Sequence, residues 1–353
     1  MEAQENAAPS RRRRGLRRPW FWLAILLMAG LVAFALSRLE LHRVGHTLTT
    51  ASPGWLVLAL VLMALSLVMR AVSWHQVLRA ALAQTRIPWA PVTRATMIGV
   101  MGSAVFPGRI GEPTRVVVLS RRLDGDTRRL LPVVAGTVFS QTIINLLALG
   151  ILAAVTFTSV PLFHGNGAGL ITALVLPLAI VALVVFGPRG LALARRSRSR
   201  RVVSAAELVQ RLLRDARRGL VVFARPRYGV TAVLAQLVAW ALQWQSCYAV
   251  LLALHLQAHT DLVTAAAILL AVNLSAVLPA TPSNVGVFQA ACIVVLAAYG
   301  VGAGTGLAYG IMLQAVEVVT ALVLGVPALL GEGLSWEDLR LRRGEVSAGD
   351  GAQ

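Results

Sequence analysis

The chain has no lysine; all 33 of its basic residues are arginine. Acidic residues are scarce too, 15 in 353, and charged residues make up only 14% of the sequence. A soluble domain needs far more charge on its surface, so a soluble globular protein is excluded. Only two cysteines occur, Cys247 and Cys292, both in apolar runs. That rules out a disulfide framework and a cysteine-based zinc site. His255 and His259 are spaced i, i+4 with Asp261 nearby, but no third strong ligand is fixed, so no metal is assigned. No nucleophile–base pair, phosphate loop or cofactor fingerprint is present. The expectation is therefore a protein without cofactor and without covalent catalysis, that is, not an enzyme.

What the sequence does have is apolar length. Hydrophobic residues make up 57% of the chain, and its mean hydropathy is +0.72. This is the composition of an all-α polytopic membrane protein. The net charge of +18 invites a nucleic-acid reading. The arginines lie beside apolar spans, however, so positive-inside topology and anionic lipid headgroups account for them, and no nucleic acid is expected.

Arginine placement orders the spans. Residues 1–19 form an arginine-rich cytoplasmic tail, expected to be disordered. No small-residue cleavage site follows the apolar run from Trp20 to Leu36, so it is expected to be retained as the first span. The second span runs from about Gly54 to Trp74, ending on Arg70 and Trp74, a pair suited to the headgroup level. The next apolar run, Ala95 to Phe106, rises only about 18 Å as a helix, too little for a core about 30 Å thick. Segment 108–129 after it carries six arginines. The run should therefore enter from the cytoplasm, break at Pro107-Gly108, and return along Glu112 to Leu119 as a re-entrant hairpin.

A third span covers about Leu131 to Phe157, with Gln141 and Asn145 on one face. A fourth covers about Gly169 to Phe186. Segment 187–227 then holds twelve arginines and reads as the main cytoplasmic loop. A fifth span runs from about Tyr228 to Leu254, with Gln236, Gln243 and Gln245 at polar positions. Two short apolar runs, Leu262 to Leu278 and Val285 to Tyr299, flank a second break. A sixth span runs from about Gly304 to Leu330 and carries Gln314 and Glu317. The short tail, 331–353, is polar and expected to be cytoplasmic.

The two breaks resemble each other. Ser103-Ala104-Val105-Phe106-Pro107 recurs, with one conservative change, as Ser275-Ala276-Val277-Leu278-Pro279, 172 positions later. Beyond a small insertion, Val285-Gly286-Val287 echoes Ile110-Gly111-Glu112. The flanking spans align at the same shift. This predicts a first membrane repeat over 20–158 and a second over 159–330, each with three full spans and one hairpin. Three is odd, so the second repeat should be inserted upside down: a 3+3 inverted repeat of about six spans plus two hairpins.

Candidate site residues follow from charge at depth. Only Glu112 and Glu317 of the acidic residues read as intramembrane. Arg109 and Arg115 bracket Glu112. One reading is an ion pair, Glu112 with Arg115 at i, i+3, that pins the hairpin. The other is a headgroup site in which the guanidinium groups take a lipid phosphate bidentately. Glu317, Gln141, Asn145 and Asn284 are the further candidates for substrate binding. Pro107, Gly108, Gly111, Pro279 and Gly286 are the hairpin breaks.

Pro107-Gly108-Arg109-Ile110-Gly111-Glu112 followed by Arg115, the Arg70–Trp74 pair, and Pro279 with Val285-Gly286-Val287-Phe288 resemble the lysylphosphatidylglycerol synthase transmembrane (flippase-like) family. The resemblance covers about 20–330. The family pattern has glycines after the second proline and an acidic residue near Gln289; here Ala280-Thr281-Pro282-Ser283-Asn284 and a neutral Gln289 stand instead. The best-known members carry a cytoplasmic aminoacyl-transferase domain, whereas this chain stops about 20 residues after its last span. The resemblance therefore implies the translocating part alone, moving an anionic phospholipid or a polyprenyl-phosphate-linked lipid between leaflets of the inner or plasma membrane, with both termini cytoplasmic. The alternative is a non-transporting membrane subunit that anchors or regulates a lipid-modifying or glycosyl-transfer enzyme through loop 187–227.

Overall fold

The computed structural model describes residues 48–105, 111–123, 125–159, 225–275 and 284–332. Among the described residues there are eight long helices and no strand. The first four are α1 (Pro53–Ala81), α2 (Trp89–Val105), α3 (Gly111–Ser120) and α4 (Thr127–Ser159). The second four are α5 (Pro226–Ala253), α6 (Leu262–Ser275), α7 (Val287–Ala297) and α8 (Ala303–Gly331). The expected first and fourth spans, residues 187–224 of the loop 187–227, residues 1–47 and 333–353, and the hairpin tips at 106–110 and 276–283 lie outside the described residues.

Local chemistry sets the helix ends. Pro53 and Pro226 open α1 and α5, where a missing N–H costs nothing. Asp261 caps α6: its carboxylate accepts from the Thr264 backbone N–H and hydroxyl, both at 2.8 Å. At the start of α7, Gly286 has φ +90° and Asn284 has φ 54°, the left-handed region that glycine and asparagine tolerate best. The Gly286 N–H donates to Gln289 Oε1 at 2.6 Å, which closes this turn.

Three helical stretches are long and apolar enough to cross a membrane: Pro53–Ala81, Leu130–Phe157 and Ala303–Gly331. Their outward faces are apolar. Val57, Val61 and Leu65 on α1 and Leu147, Ile151 and Val155 on α4 are exposed at i, i+4 spacing, as are Val230, Leu234 and Val238 on α5. Water would penalise such stripes, whereas lipid tails do not.

α1 and α5 share the most extensive interface and run antiparallel. The Ser52 N–H donates to the Ala253 carbonyl, Ser246 Oγ to the Ala59 carbonyl and Ser73 Oγ to the Ala232 carbonyl. Beyond these, Arg79 lies over the Tyr228 ring. Around this pair the packing is two-fold in pattern. α2 packs on α3 and α8, as α6 packs on α7 and α4; α3 packs on α4, as α7 packs on α8.

Each hairpin closes on itself. Gly99 and Gly102 of α2 face Gly111 of α3, and a Cβ on Gly111 would stand 1.7 Å from the Gly99 carbonyl oxygen. Only glycine allows arms this close. Both outer ends of the first hairpin lie beside the C-terminus of α8. There the buried Glu332 carboxylate pairs with Arg94 at 3.5 Å and Arg122 at 2.5 Å. In the second hairpin Tyr299, after α7, lies near Thr264 and Asp261 at the start of α6. The first hairpin follows the C-terminus of α1 and the second follows the C-terminus of α5. Because α1 and α5 are antiparallel, the hairpins open toward opposite ends of the pair.

One expectation changes. α1 continues seven residues beyond Trp74, to Ala81, so Arg70 and Trp74 are not headgroup anchors. Trp74 is fully buried, and its indole N–H donates to Thr137 of α4.

Candidate functional site

The interior charge collects on three helices, α1, α3 and α8, with α4 and α5 supplying amides. Arg115 is the most enclosed member, its side chain 9% exposed. It projects from α3 opposite Gly99, which has no side chain to exclude it. One guanidinium nitrogen pairs with Glu112 on the preceding turn. Another donates to Gln141 Oε1 on α4 at 2.9 Å. The guanidinium plane lies 4.7 Å from the centroid of the Trp74 ring, a cation–π contact that partly replaces lost hydration. Gln141 in turn donates to the Arg70 carbonyl at 3.1 Å. That bond ties α4 to the middle of α1.

Arg70 extends the cluster toward α8. Its guanidinium donates to Gln243 Oε1 on α5 and lies 6.0 Å from the Trp240 ring centroid. The Gln243 amide nitrogen serves Glu317 on α8, which also faces the Arg70 charge. The order Arg70, Gln243, Glu317 thus links three helices through one amide. Arg70 and Glu317 both sit deep in the bundle, yet each keeps part of its side chain accessible. Among the described residues, Arg70 Nε and Arg115 Nε are buried without a hydrogen-bond partner. Unpaired buried donors of this kind are rare and call for an acceptor.

The structure thus brings together Glu112, Arg115, Gln141 and Glu317 of the expected residues. Asn145 is engaged separately: its Oδ1 accepts from Gln236 at 2.8 Å and from the Trp240 indole at 2.9 Å, joining α4 to α5. Asn284 and Gly286 lie at the second hairpin's turn, where Gln289 bonds to Gln314 across to α8. This second site has amides where the first has charges. Gly111 is the close contact between α2 and α3. Arg109, Pro107, Gly108 and Pro279 are outside the described residues.

Arg70 and Glu332 are the members that sequence reading placed elsewhere. For Arg70 the signal was the absence of glycine and proline from Trp55 to Ile87: nothing stops the helix at Trp74, and α1 runs on to Ala81. Gln236, Trp240 and Gln243 also share one helical face at i, i+4 and i+7. Glu332 stands directly after the last apolar run, but nothing local indicates that its carboxylate turns inward.

Apolar outer faces and charges gathered inside define a polytopic helical membrane protein with a buried polar site. The family model of the lysylphosphatidylglycerol synthase TM region matches residues 21–325, and the chain belongs to that family. No curated protein matches it in sequence.

Proposed function

We propose that the protein is a flippase-like lipid translocase, working without covalent chemistry on a lipid that carries an anionic phosphate. One observation carries this reading: two guanidinium groups inside the bundle, Arg70 and Arg115, each hold a buried Nε without a hydrogen-bond partner. A planar guanidinium suits a phosphate oxygen pair. The proposed headgroup site comprises Arg115 with Arg70, Glu112, Gln141 and Glu317 around it, and the sequence adds Arg109, which precedes α3.

The antiparallel α1/α5 pair and the opposed hairpins support a 3+3 inverted repeat of about six spans, with one hairpin entering from each side of the membrane. The arginines at the α8 end, Arg94 and Arg122, support a cytoplasmic first hairpin and cytoplasmic termini in the inner or plasma membrane.

The test is transport in proteoliposomes. Fluorescent phosphatidylglycerol is placed in both leaflets and dithionite quenches the outer one. Wild type should expose the inner pool, Arg115→Lys should slow the exposure, and Arg115→Ala, if still monodisperse in detergent, should stop it. Arg109→Lys and Arg109→Ala should follow the same order. Quenching by wild type no greater than in protein-free vesicles would overturn the reading.

A further inference from the structure

We propose that Ser66 and Gln236 belong to the same site and read the lipid's headgroup: the Ser66 hydroxyl donates to the phosphate beside Arg70, and Gln236 Oε1 accepts from a headgroup hydroxyl. The lipid is then a phosphodiester of a polyol or a sugar. This inference rests on the lipid-phosphate reading above and names the headgroup.

Unsatisfied polar atoms are the starting point. Among the described residues, five buried side-chain atoms have no hydrogen-bond partner: Ser66 Oγ, Arg70 Nε, Arg115 Nε, Gln236 Oε1 and the Tyr299 hydroxyl. Ser66 is 0% exposed and Gln236 2%. A sealed polar atom without a partner bears the full cost of its lost hydration, so such atoms are rare in native proteins. Tyr299 stands apart, at the outer end of the second hairpin. The other four fall in one place.

Helix register brings them together. The Ser52–Ala253, Ser246–Ala59 and Ser73–Ala232 bonds hold α1 and α5 in a single antiparallel register, with a step of seven on one helix matching a step of seven on the other. That register sets Ser66 opposite Ala239, and Gln236 opposite Met69, the residue before Arg70. Ser66 stands one turn before Arg70 on the same face of α1. Contacts supply the remaining links. Arg70 lies 6.0 Å from the Trp240 ring centroid, and the Trp240 indole and the Gln236 amide both donate to Asn145 Oδ1. Arg115 joins through Gln141, which bonds to its guanidinium and to the Arg70 carbonyl.

The indole decides which atom of Gln236 is free. An indole N–H only donates, so the Asn145 atom it meets at 2.9 Å is the carbonyl oxygen. Gln236 meets the same oxygen at 2.8 Å and must present its nitrogen. Its Oε1 is left as an acceptor without a donor. The two guanidinium Nε atoms are the reverse, donors without acceptors, and the Ser66 hydroxyl serves either way.

One ligand satisfies all four if it carries acceptor oxygens at one end and a hydroxyl at the other. A phosphodiester of a polyol has both. A choline headgroup has no N–H or O–H to give Gln236. An ethanolamine headgroup has an ammonium, but the groups bonded at Gln236, Asn145 and Trp240, are neutral, and a buried ammonium needs an anion. A hydroxyl is satisfied by one amide oxygen.

The experiment isolates that hydroxyl. Full-length protein in detergent is incubated with equimolar phosphatidylglycerol and phosphatidylethanol of the same acyl chains, and native mass spectrometry reads the ratio retained. Both are phosphodiester monoanions, and only the first has headgroup hydroxyls. Phosphatidylinositol, phosphatidylethanolamine and phosphatidylcholine are each set against phosphatidylglycerol in the same way. Wild type should favour phosphatidylglycerol over phosphatidylethanol by about tenfold, because the second leaves a buried acceptor bare. Gln236→Met should bring the ratio to about one. Gln236→Asn withdraws the amide by one methylene and should also lower the ratio; it is the milder variant if Gln236→Met does not fold. Ser66→Ala should weaken both lipids alike and keep the ratio.

Equal retention of phosphatidylglycerol and phosphatidylethanol by wild type, with both lost in Arg115→Ala, would overturn the hydroxyl reading and leave the lipid-phosphate reading intact. A wild-type preference that the Gln236 variants keep would also overturn it and assign the free oxygen to water. Stronger retention of phosphatidylethanolamine would make the donor an ammonium, again overturning it. Unchanged retention of both lipids by Ser66→Ala would remove Ser66 from the site. Stronger retention of phosphatidylinositol would support the reading, with a ring polyol as the headgroup. No anionic lipid retained above phosphatidylcholine would overturn both readings.

Discussion

Replacing Gly111 by alanine should disable the first hairpin out of proportion to one added methyl group. The new Cβ would stand 1.7 Å from the Gly99 carbonyl oxygen and 2.4 Å from Ser103 Oγ. A relaxed carbon–oxygen contact is about 3.3 Å, so α2 and α3 must part by roughly 1.5 Å. The Ser103 hydroxyl can rotate away, but the nearest atoms are Gly99 backbone and cannot yield cheaply. Overpacking of this kind costs about 1–3 kcal/mol. The shift also moves Arg115, whose Gln141 bond spans 2.9 Å; stretched by a similar amount it would exceed hydrogen-bonding distance. Stability and anion binding should therefore fall together. Gly99→Ala meets its nearest atoms at 3.0 Å and should do less, and Gly150→Ala, with nothing within 4 Å, should be neutral or slightly stabilising. The assay is thermal unfolding in detergent paired with phosphatidylglycerol binding. If Gly111→Ala matched wild type in both, the close approach of the hairpin arms would be irrelevant and the account of Arg115's placement would fail.

Glu332→Gln should lower stability by about 1–3 kcal/mol, because its carboxylate accepts charge-assisted bonds from arginines at both ends of the first hairpin. Adding Arg122→Ala in that background should cost much less than Arg122→Ala alone; equal costs in a double-mutant cycle would show that the two do not couple. For topology, single cysteines replacing Arg121 and His259, in a background lacking Cys247 and Cys292, should react with an impermeant maleimide from opposite sides of the membrane. Labelling of both from one side would rule out the inverted insertion.

The amino-acid sequence by itself determined the membrane class and the all-helical architecture of the described residues. The reason is that apolar length, proline and arginine placement act locally, and a span reports itself within its own 20 or so residues. The likeness of Ser103–Pro107 to Ser275–Pro279 was legible for the same reason, since it is a local signal. Glu112, Arg115 and Glu317 stood out because an ionisable group in an apolar run is rare wherever the run goes.

Tertiary structure decided which of these groups meet. Arg70 and Glu317 belong to helices more than 200 residues apart in sequence, and they are joined through Gln243 only because α1 and α5 lie antiparallel. Glu332 reads as a tail residue until the end of α8 is seen between the two ends of the first hairpin. The Gly99–Gly111 contact shows the same division. A glycine in a sequence states only that a side chain is absent, and what fills that space depends on a helix arriving from elsewhere in the fold.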